Sequence, residues 1–287
     1  MSERYHPSNK AVKIVDKIKE MTAKTVIFID RKPDNVLPSL TDSKLGGVPY
    51  WDMQKEYPTD GDGRKMMMIS QINFSQLRDL DTDLPKEGML QFFITTEDDV
   101  YGIDFDEPAS QENFRVVFHD VINSDVTQEQ VKALGITTAE ACEEYGSPIC
   151  RQAALSFRAG IDYMGSDESG FPAVFAQAVK AVTGEDIDTE RWYQYFDEAD
   201  DDYLEDELRG SGHKMLGHPF FIQSDPREGT DDEQYFDTLL LQIDSDMGND
   251  GEDYVLWGDC GVANWFINGE ALKKKDFSKI MYNWDCS

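Results

Sequence analysis

The chain carries one ordered series of residues twice, and this repeat limits the folds that it can adopt. Each copy has a proline, a glutamine, a glycine and a phenylalanine in the same order: Pro49, Gln71, Gly88 and Phe93 in the first copy, and Pro219, Gln242, Gly261 and Phe266 in the second. The proline and the glutamine are 22 residues apart in the first copy and 23 in the second, and the glycine and the phenylalanine are 5 apart in both. Agreement in residue type, order and spacing indicates a duplicated unit.

The repeated segments have the apolar patterns of β-strands. After the glycine, apolar side chains alternate with polar ones, and an amide, Gln91 or Asn264, lies on the opposite face in each copy. The runs around Gln71 and Gln242 are apolar on both faces, which is typical of strands that are covered on both sides. Further strand-like stretches lie at 25–30, 114–118 and 277–282. We therefore expect each unit to contribute at least three strands.

Helical periodicity occurs before the first copy and between the two copies. A helix with Ser8 as its N-cap is predicted to end near Thr22. Between the copies, two capping-box spacings predict short helices that glycines end. These residues are Thr127 and Gln130 before Gly135, and Thr137 and Glu140 before Gly146. A third helix is predicted from Pro172 to Gly184, and a longer one after Thr189.

These patterns predict an α+β fold in which internally duplicated antiparallel β units pack as one large domain, with helices inserted between the repeats. The predicted bounds are 1–24 for an N-terminal helix, 25–123 for the first β repeat, 124–212 for the helical insertion and 213–287 for the second β repeat.

The net charge of the chain is −30, from 57 acidic and 27 basic residues. Such a field repels phosphate backbones and anionic membranes, and it speeds encounter with cationic molecules. We therefore expect no nucleic-acid or membrane partner, and a basic protein is the candidate partner. The alternative is that the carboxylates only keep the protein soluble, because runs of charge are usually solvated faces. The oligomeric state is left open.

Apolar runs and the cysteine and histidine content indicate the cellular compartment and the cofactors that can be expected. No segment reaches the roughly 18 consecutive apolar residues that a membrane helix requires, and the start of the chain is polar, so we expect a cytoplasmic protein. The four cysteines, which include Cys142 and Cys150, form no CxxC pair and are expected to be reduced. The four histidines form no HExxH motif. No cofactor is predicted.

The common catalytic motifs GxGxxG, GxxxxGK[ST] and GxSxG do not occur in the sequence. These absences remove the usual signatures of dinucleotide-binding enzymes, P-loop enzymes and α/β-hydrolases. Whether the protein is an enzyme stays open, and binding is favoured over catalysis.

An acidic segment follows the glutamine-containing strand of the second copy. Residues 244–253 have the composition of a calcium loop, but Gly248 stands where a ligand belongs and Val255 where the bidentate glutamate belongs, which excludes an EF-hand. Asp244 and Asp246 form a DxD pair and are candidates for holding a divalent metal ion. The alternative is an acidic, glycine-containing turn between two strands, which explains the composition of this segment without a metal ion.

Two segments place an aspartate directly before a cysteine and a tryptophan nearby. The candidate binding cleft combines them with the repeated glutamines and comprises Gln71, Gln242, Trp257, Asp259, Cys260, Trp284 and Asp285. No catalytic residue is assigned, because a neighbouring carboxylate opposes formation of a thiolate at Cys260 or Cys286. The alternative is structural: small buried cysteines, aspartates that accept from turn amides, and glutamines that hold loops.

Six separated motifs resemble the YwqG family of uncharacterised bacterial proteins. They lie at 43–49, 71–72, 217–219, 241–246, 257–261 and 283–287, and the resemblance extends from about residue 25 to residue 287. It implies a cytosolic α+β fold with an internal duplication and a domain of unknown function, with no catalytic residues to carry over. The occurrence of similar proteins near secreted-toxin systems suggests an immunity or accessory role.

Three functional hypotheses follow. The first is a binding protein whose acidic surface receives a basic partner, including a toxin that it neutralises. The second is an enzyme or a binder of a small ligand or divalent metal in the cleft between the two repeats, with Asp244, Asp246, Asp259 and Asp285 as acid, base or metal groups. The third is a structural subunit.

Overall fold

The computed structural model describes residues 6–96, 98–138, 147–230, 232 and 234–287. Within these ranges the α-helices are α1 (Asn9–Thr22), α2 (Gln128–Lys132), α3 (Phe171–Thr183), α4 (Glu198–Leu208) and α5 (Gly269–Lys273). The strands are β1 (Lys24–Arg31), β2 (Lys44–Leu45), β3 (Met67–Asn73), β4 (Met89–Ile94), β5 (Phe114–His119), β6 (Ala153–Asp162), β7 (Lys214–Leu216), β8 (Thr238–Asp244), β9 (Asp246–Met247), β10 (Asp253–Val255), β11 (Val262–Ile267) and β12 (Met281–Asp285).

In the described ranges, ten of these strands form one antiparallel sheet in the order β12-β11-β8-β7-β1-β6-β2-β3-β4-β5, and β9 pairs with β10 in a separate hairpin. The sheet curls into a nearly closed barrel. Side chains from its two halves meet inside, as Phe92 and Trp265 do with ring centroids 5.2 Å apart. The two edges approach one another where the Tyr282 N–H donates to the Pro108 carbonyl at 2.9 Å.

The predicted fold class is wrong. The strands do not form two β units that pack against each other, because β6 joins them into one continuous sheet. This ten-residue strand lies in the region predicted to be a helical insertion, and it pairs with β1 from Arg31 to Lys24 and with β2 at Lys44 and Leu45. Gly160 and the exposed residues of β6 hide its strand pattern, and a Cβ at Gly160 would lie 2.7 Å from the Phe28 ring that packs there.

Several predicted elements are confirmed. Helix α1 ends at Thr22 and the Ser8 hydroxyl accepts from the Ala11 N–H, as an N-cap does. Helix α2 has the capping box of Thr127 and Gln130. Helix α3 ends at Gly184, which has a left-handed φ of 82°. The helix predicted between Thr137 and Gly146 lies outside the described residues.

Two predicted boundaries are wrong. The long helix predicted after Thr189 is divided into a 3-10 segment, Thr189–Gln194, and α4. The non-helical φ of −125° at Arg191 interrupts the first segment, and the Asp197 side chain starts a new helix by accepting from the Asp200 N–H. The last strand begins at Met281, four residues after the predicted start.

Helices α1, α3 and α4 form a layer beside the barrel. Their apolar side chains pack together, and Ile14, Ile18, Phe175 and Leu204 are at most 1% exposed. None of the helices in the described ranges has the length and apolar content needed to cross a bilayer.

Buried polar groups join strands of the sheet to one another and connect the sheet to the helical layer. The Lys214 ammonium of β7 donates to Asp162 at 2.9 Å, and the His218 ring bridges the Thr22 carbonyl and the Glu168 carboxylate at 2.7 Å each. Beside them, Asp167 accepts from the Phe221 N–H at 2.6 Å. Burial raises the pKa of Asp167 to about 7, and the hydrogen bond from Phe221 only partly opposes this.

The first prediction concerns Gly261, which directly precedes β11 and lies against the end of β12. A Cβ at Gly261 would lie 2.0 Å from the Asp285 carbonyl oxygen and 2.8 Å from the Cys286 Cβ. We therefore expect Gly261→Ala to lower the free energy of unfolding by about 2–3 kcal/mol, measured by urea unfolding. The control is Gly170→Ala, whose Cβ would meet only the Met164 methyl at 3.6 Å and which should change stability by no more than about 0.5 kcal/mol. Equal effects would contradict the packing described.

The raised pKa of Asp167 generates the second prediction. In the unfolded chain this carboxyl ionises near its ordinary value of 3.8, whereas in the folded protein it keeps its proton until about pH 7. Its contribution to stability is therefore fully present below the unfolded pKa and is lost as the pH rises to the folded value. Asn cannot ionise and can still accept from the Phe221 N–H. Relative to the wild type, Asp167→Asn should gain about 2–3 kcal/mol of unfolding free energy between about pH 5 and about pH 7.5.

The measurement is urea unfolding at both pH values. The exposed Asp16→Asn variant is the control, and its difference from the wild type should change by no more than about 0.5 kcal/mol between them. If Asp167→Asn gains nothing as the pH rises, Asp167 is not protonated in the folded protein.

Candidate functional site

A cavity of about 540 Å³ opens at the end of the barrel where β1 and β8 finish. We call it the rim cavity, and its wall is formed by Ile29, Asp30, Arg31, Lys32, Pro33, Asp34, Gly212, His213, Asp244, Ser245, Asp246 and Asn249. The wall combines carboxylates, cations and an imidazole with few apolar groups. The cavity has the volume of a site for a small molecule.

Asp246 connects the β9–β10 hairpin to the barrel at this rim. Its carboxylate forms an ion pair with Arg31, the last residue of β1, and lies 3.4 Å from Nε2 of His213. Burial raises the pKa of Asp246, but the contacts with His213 and Arg31 outweigh burial and lower the pKa to about 2. Asp246 is therefore ionised at all physiological pH values.

The Tyr254 ring of the hairpin lies between two arginines. The guanidinium carbons of Arg31 and Arg151 are 3.8 Å and 3.9 Å from the ring centroid, and two such planes cannot share one face of a ring. The guanidiniums therefore cover both faces of Tyr254. Arg151 also binds both carboxylate oxygens of Asp250, at 2.8 Å and 3.0 Å. We call Arg31, Arg151, His213, Asp244, Asp246 and Tyr254 the rim cluster.

Asp244 is the other carboxylate of the predicted DxD pair, and its environment differs from that of Asp246. Its carboxylate accepts from the Gly212 N–H at 2.6 Å. Burial raises the pKa of Asp244 above its ordinary value. The two carboxylates thus have pKa values shifted in opposite directions, as in many sites that bind or transfer protons. Within the described residues, no group of three or more His, Cys, Asp and Glu side chains could hold a metal ion.

The repeated glutamines do not line this cavity, and both are fully buried. The Gln71 amide donates to the Leu40 and Asp42 carbonyls and accepts from the Tyr50 N–H. Gln242 makes the same set of bonds, with the carbonyls of Gly210 and Gly212 and with the N–H of Phe220. Each glutamine thus holds its loops against the sheet.

The two tryptophans of the predicted cleft belong to an aromatic cluster at the same end of the barrel. The rings of Trp257 and Trp284 are 6.0 Å apart, and that of Tyr101 is 5.7 Å from the first and 5.2 Å from the second. Trp257 is fully buried, and Trp284 donates from Nε1 to the Val100 carbonyl at 2.7 Å. These rings fill the end of the barrel rather than line an open cleft.

The two Asp-Cys segments come together. Val262 pairs with Asp285 across β11 and β12, and a Cβ at Gly258 would lie 2.6 Å from Sγ of Cys286. Asp285 is buried and accepts from the Ile222 and Gln223 N–H groups at 3.1 Å and 2.9 Å. Its pKa is raised by burial.

The remaining residues of the predicted cleft are exposed. Asp259 and Cys260 lie in the turn before β11, where Cys260 has a left-handed φ of 73°. The structure therefore brings the two Asp-Cys segments and the two tryptophans together and leaves the glutamines in separate places. Of the site residues predicted from the sequence, Asp244 and Asp246 are the two that line the rim cavity.

Sequence reasoning missed the partners that make this a site. Arg31, Arg151, His213 and Tyr254 are far apart in the chain, and none belongs to a recognisable motif. Position in the chain is the one signal that the sequence offers. Arg31 directly follows the strand-like stretch at 25–30, and Asp244 ends the strand-like run around Gln242.

A second cavity, of about 590 Å³, lies at the opposite end of β1 and β8. We call it the acidic groove and define it by its charged lining residues, which are Lys24, Asp81, Asp83, Asp237, Glu270 and Lys273. All four carboxylates are exposed. Lys273 is already paired with Glu270 at 2.8 Å, so negative charge dominates the groove.

No match to the chain is found among curated proteins. The family described as Domain of unknown function (DUF1963) matches residues 43–286. The match includes every strand from β2 to β12 and every rim-cluster residue except Arg31, whereas β1 lies before it. Because the match covers well over half of the 287 residues, the chain belongs to the family Domain of unknown function (DUF1963).

Proposed function

We propose that this protein is a binding protein whose acidic groove receives a basic segment of a protein partner. The observation that carries the proposal is the excess of exposed carboxylates around one cavity in a chain of net charge −30. A cytoplasmic and bacterial setting, a YwqG-like identity within the family and a role in neutralising a basic toxin belong to this proposal.

The groove has the geometry to select a basic side chain. Its lining combines Asp81 and Asp83, which precede β4, with Asp237 and Glu270, which come from the second half of the chain. Asp237 is held in place because its carboxylate accepts from the Gly269 N–H and the Thr238 hydroxyl, each at 2.8 Å. A lysine or arginine that enters would meet several carboxylates at once, and such complementarity raises the association rate and fixes the register of a partner.

The alternative function is an enzyme or a binder of a small ligand at the rim cavity. The observation that favours it is the shift of the Asp244 and Asp246 pKa values in opposite directions within one cavity wall. The third hypothesis, a structural subunit, is distinguished by the size of the protein in solution.

The acidic groove generates the third prediction. The probe is a fluorescein-labelled hexalysine peptide, whose binding is measured by fluorescence anisotropy. We expect the double substitution Asp81→Asn and Asp83→Asn to raise its Kd by at least about five-fold at about 0.1 M salt, because two of the groove carboxylates are removed.

The matched control is Asp201→Asn with Asp202→Asn on α4, which removes the same charge from another acidic part of the surface. This control should change the Kd by less than about two-fold, since charges beyond a Debye length are screened. If both double variants weaken binding equally, the peptide responds only to net charge and the groove is not the site.

A further inference from the structure

Strand β7 is shorter than the two strands beside it, and its end opens a space in the sheet. It lies between β1 and β8 for three residues. Leu216 and Gly217 then have left-handed φ values of 62° and 72°, which no strand continues through. A Cβ at Gly217 would lie 3.0 Å from the Val26 Cβ and 2.7 Å from a carboxylate oxygen of Asp162. The chain therefore leaves the space between β1 and β8 after Leu216.

Strands β1 and β8 extend beyond this point with no strand between them. Within the described residues, Lys24 and Thr25 pair only with β6, because the β1–β7 pairing ends at Val26. Thr238 and Leu239 pair only with β11. These two pairs of residues line the acidic groove, together with the residues at which β7 ends. The acidic groove is therefore a gap in the sheet at the end where β1 and β8 begin.

The width of this gap follows from the pairing of β7 with both neighbours. Adjacent strands of a sheet lie about 4.8 Å apart, so β1 and β8 are about 9.6 Å apart where β7 lies between them. That separation is the width of one strand. The gap thus has room for one extended segment in line with β7.

The edge of β1 offers hydrogen-bonding groups to such a segment. Successive strand residues direct their N–H and C=O groups to opposite sides. The Ile29 N–H donates to the carbonyl of His213, which directly precedes β7, at 2.9 Å. Thr25 is four residues before Ile29 and faces the same side, where no hydrogen bond from the described residues reaches its backbone. Such groups on a strand edge are a template for pairing with another chain.

The carboxylates of the groove act together on a cation. The hydrogen bond with Glu270 raises the pKa of Lys273, and the charges of Asp83 and Asp237 raise it further. Carboxylates from three parts of the chain thus stabilise one ammonium group. A second ammonium or guanidinium group that enters the groove is attracted in the same way.

We propose that the acidic groove binds its basic partner segment as an extended strand, which lies between β1 and β8 in line with β7. The backbone of the segment hydrogen-bonds to the edges of β1 and β8, and lysine or arginine side chains at alternate positions face the groove carboxylates. This inference rests on the proposed function, and it adds the conformation of the partner segment and the way in which it is recognised.

The fourth prediction separates recognition of the peptide backbone from recognition of charge. Fluorescein-labelled hexalysine is compared with two derivatives that carry backbone N-methyl groups, one at its second and fourth residues and one at its third and fifth. Each derivative keeps every charge but loses N–H donors from one edge of the strand. Both should raise the Kd by at least about five-fold at about 0.1 M salt, measured by fluorescence anisotropy, because a strand between two neighbours uses both edges.

The matched control peptide carries the same two methyl groups on side-chain ammonium groups. It keeps its charges and all its backbone N–H donors, so its Kd should differ from that of hexalysine by less than about two-fold.

A pair of variants tests the same contact from the side of the protein. Thr25→Pro removes the N–H that faces the groove and leaves the N–H groups that face β6, whereas Thr25→Ala keeps the backbone intact. Thr25→Pro should raise the Kd of hexalysine by at least about three-fold, and Thr25→Ala should change it by less than about two-fold. Urea unfolding checks that both variants are folded, and the peptide comparison decides if Thr25→Pro is not.

The two proposals fail in different ways. The strand proposal is overturned if the backbone-methylated peptides or a folded Thr25→Pro variant bind as tightly as the unmodified pair, while Asp81→Asn with Asp83→Asn still weakens binding. The groove is then the site, and it recognises charge alone. If that double variant weakens hexalysine no more than its Asp201→Asn and Asp202→Asn control does, the proposed function itself fails.

Discussion

The pairing of β1 with β6 on one side and β7 on the other is the interaction on which the rest of the structure depends. Eight residue pairs connect β1 to β6, from Lys24 with Asp162 to Arg31 with Leu155. On its other side, β1 pairs with β7 from Val26 to Phe28. Without this strand the sheet would have two separate edges in the middle of the barrel, and neither the interior nor the rim could form.

The sequence predicted local structure well where periodicity and end signals agree. The caps of α1 and α2, the left-handed glycine after α3 and the buried strands around Gln71 and Gln242 all follow from residues close together in the chain. The arrangement of the strands could not be predicted in the same way. It depends on β6, whose exposed positions and Gly160 do not alternate as a half-buried strand does.

The repeated glutamines also show what the sequence could not predict, namely how the strands are arranged. Gln71 and Gln242 make equivalent bonds to loops, so their recurrence reflects a structural need that occurs twice. Their lysine neighbours differ, since Lys214 pairs with Asp162 whereas Lys44 donates to the Ser39 and Leu40 carbonyls. Burial lowers the pKa of Lys44 to about 8.

Of the candidate site, only Asp244 and Asp246 were predictable, because the groups that surround them come from distant parts of the chain.

Strand β1 begins at the acidic groove with Lys24 and ends at the rim cavity with Arg31. Seven steps of about 3.3 Å separate these residues, so the strand fixes the two openings about 23 Å apart. At physiological ionic strength this is nearly three times the Debye length of about 8 Å. A cation held at one opening would therefore hardly change the electrostatic attraction at the other.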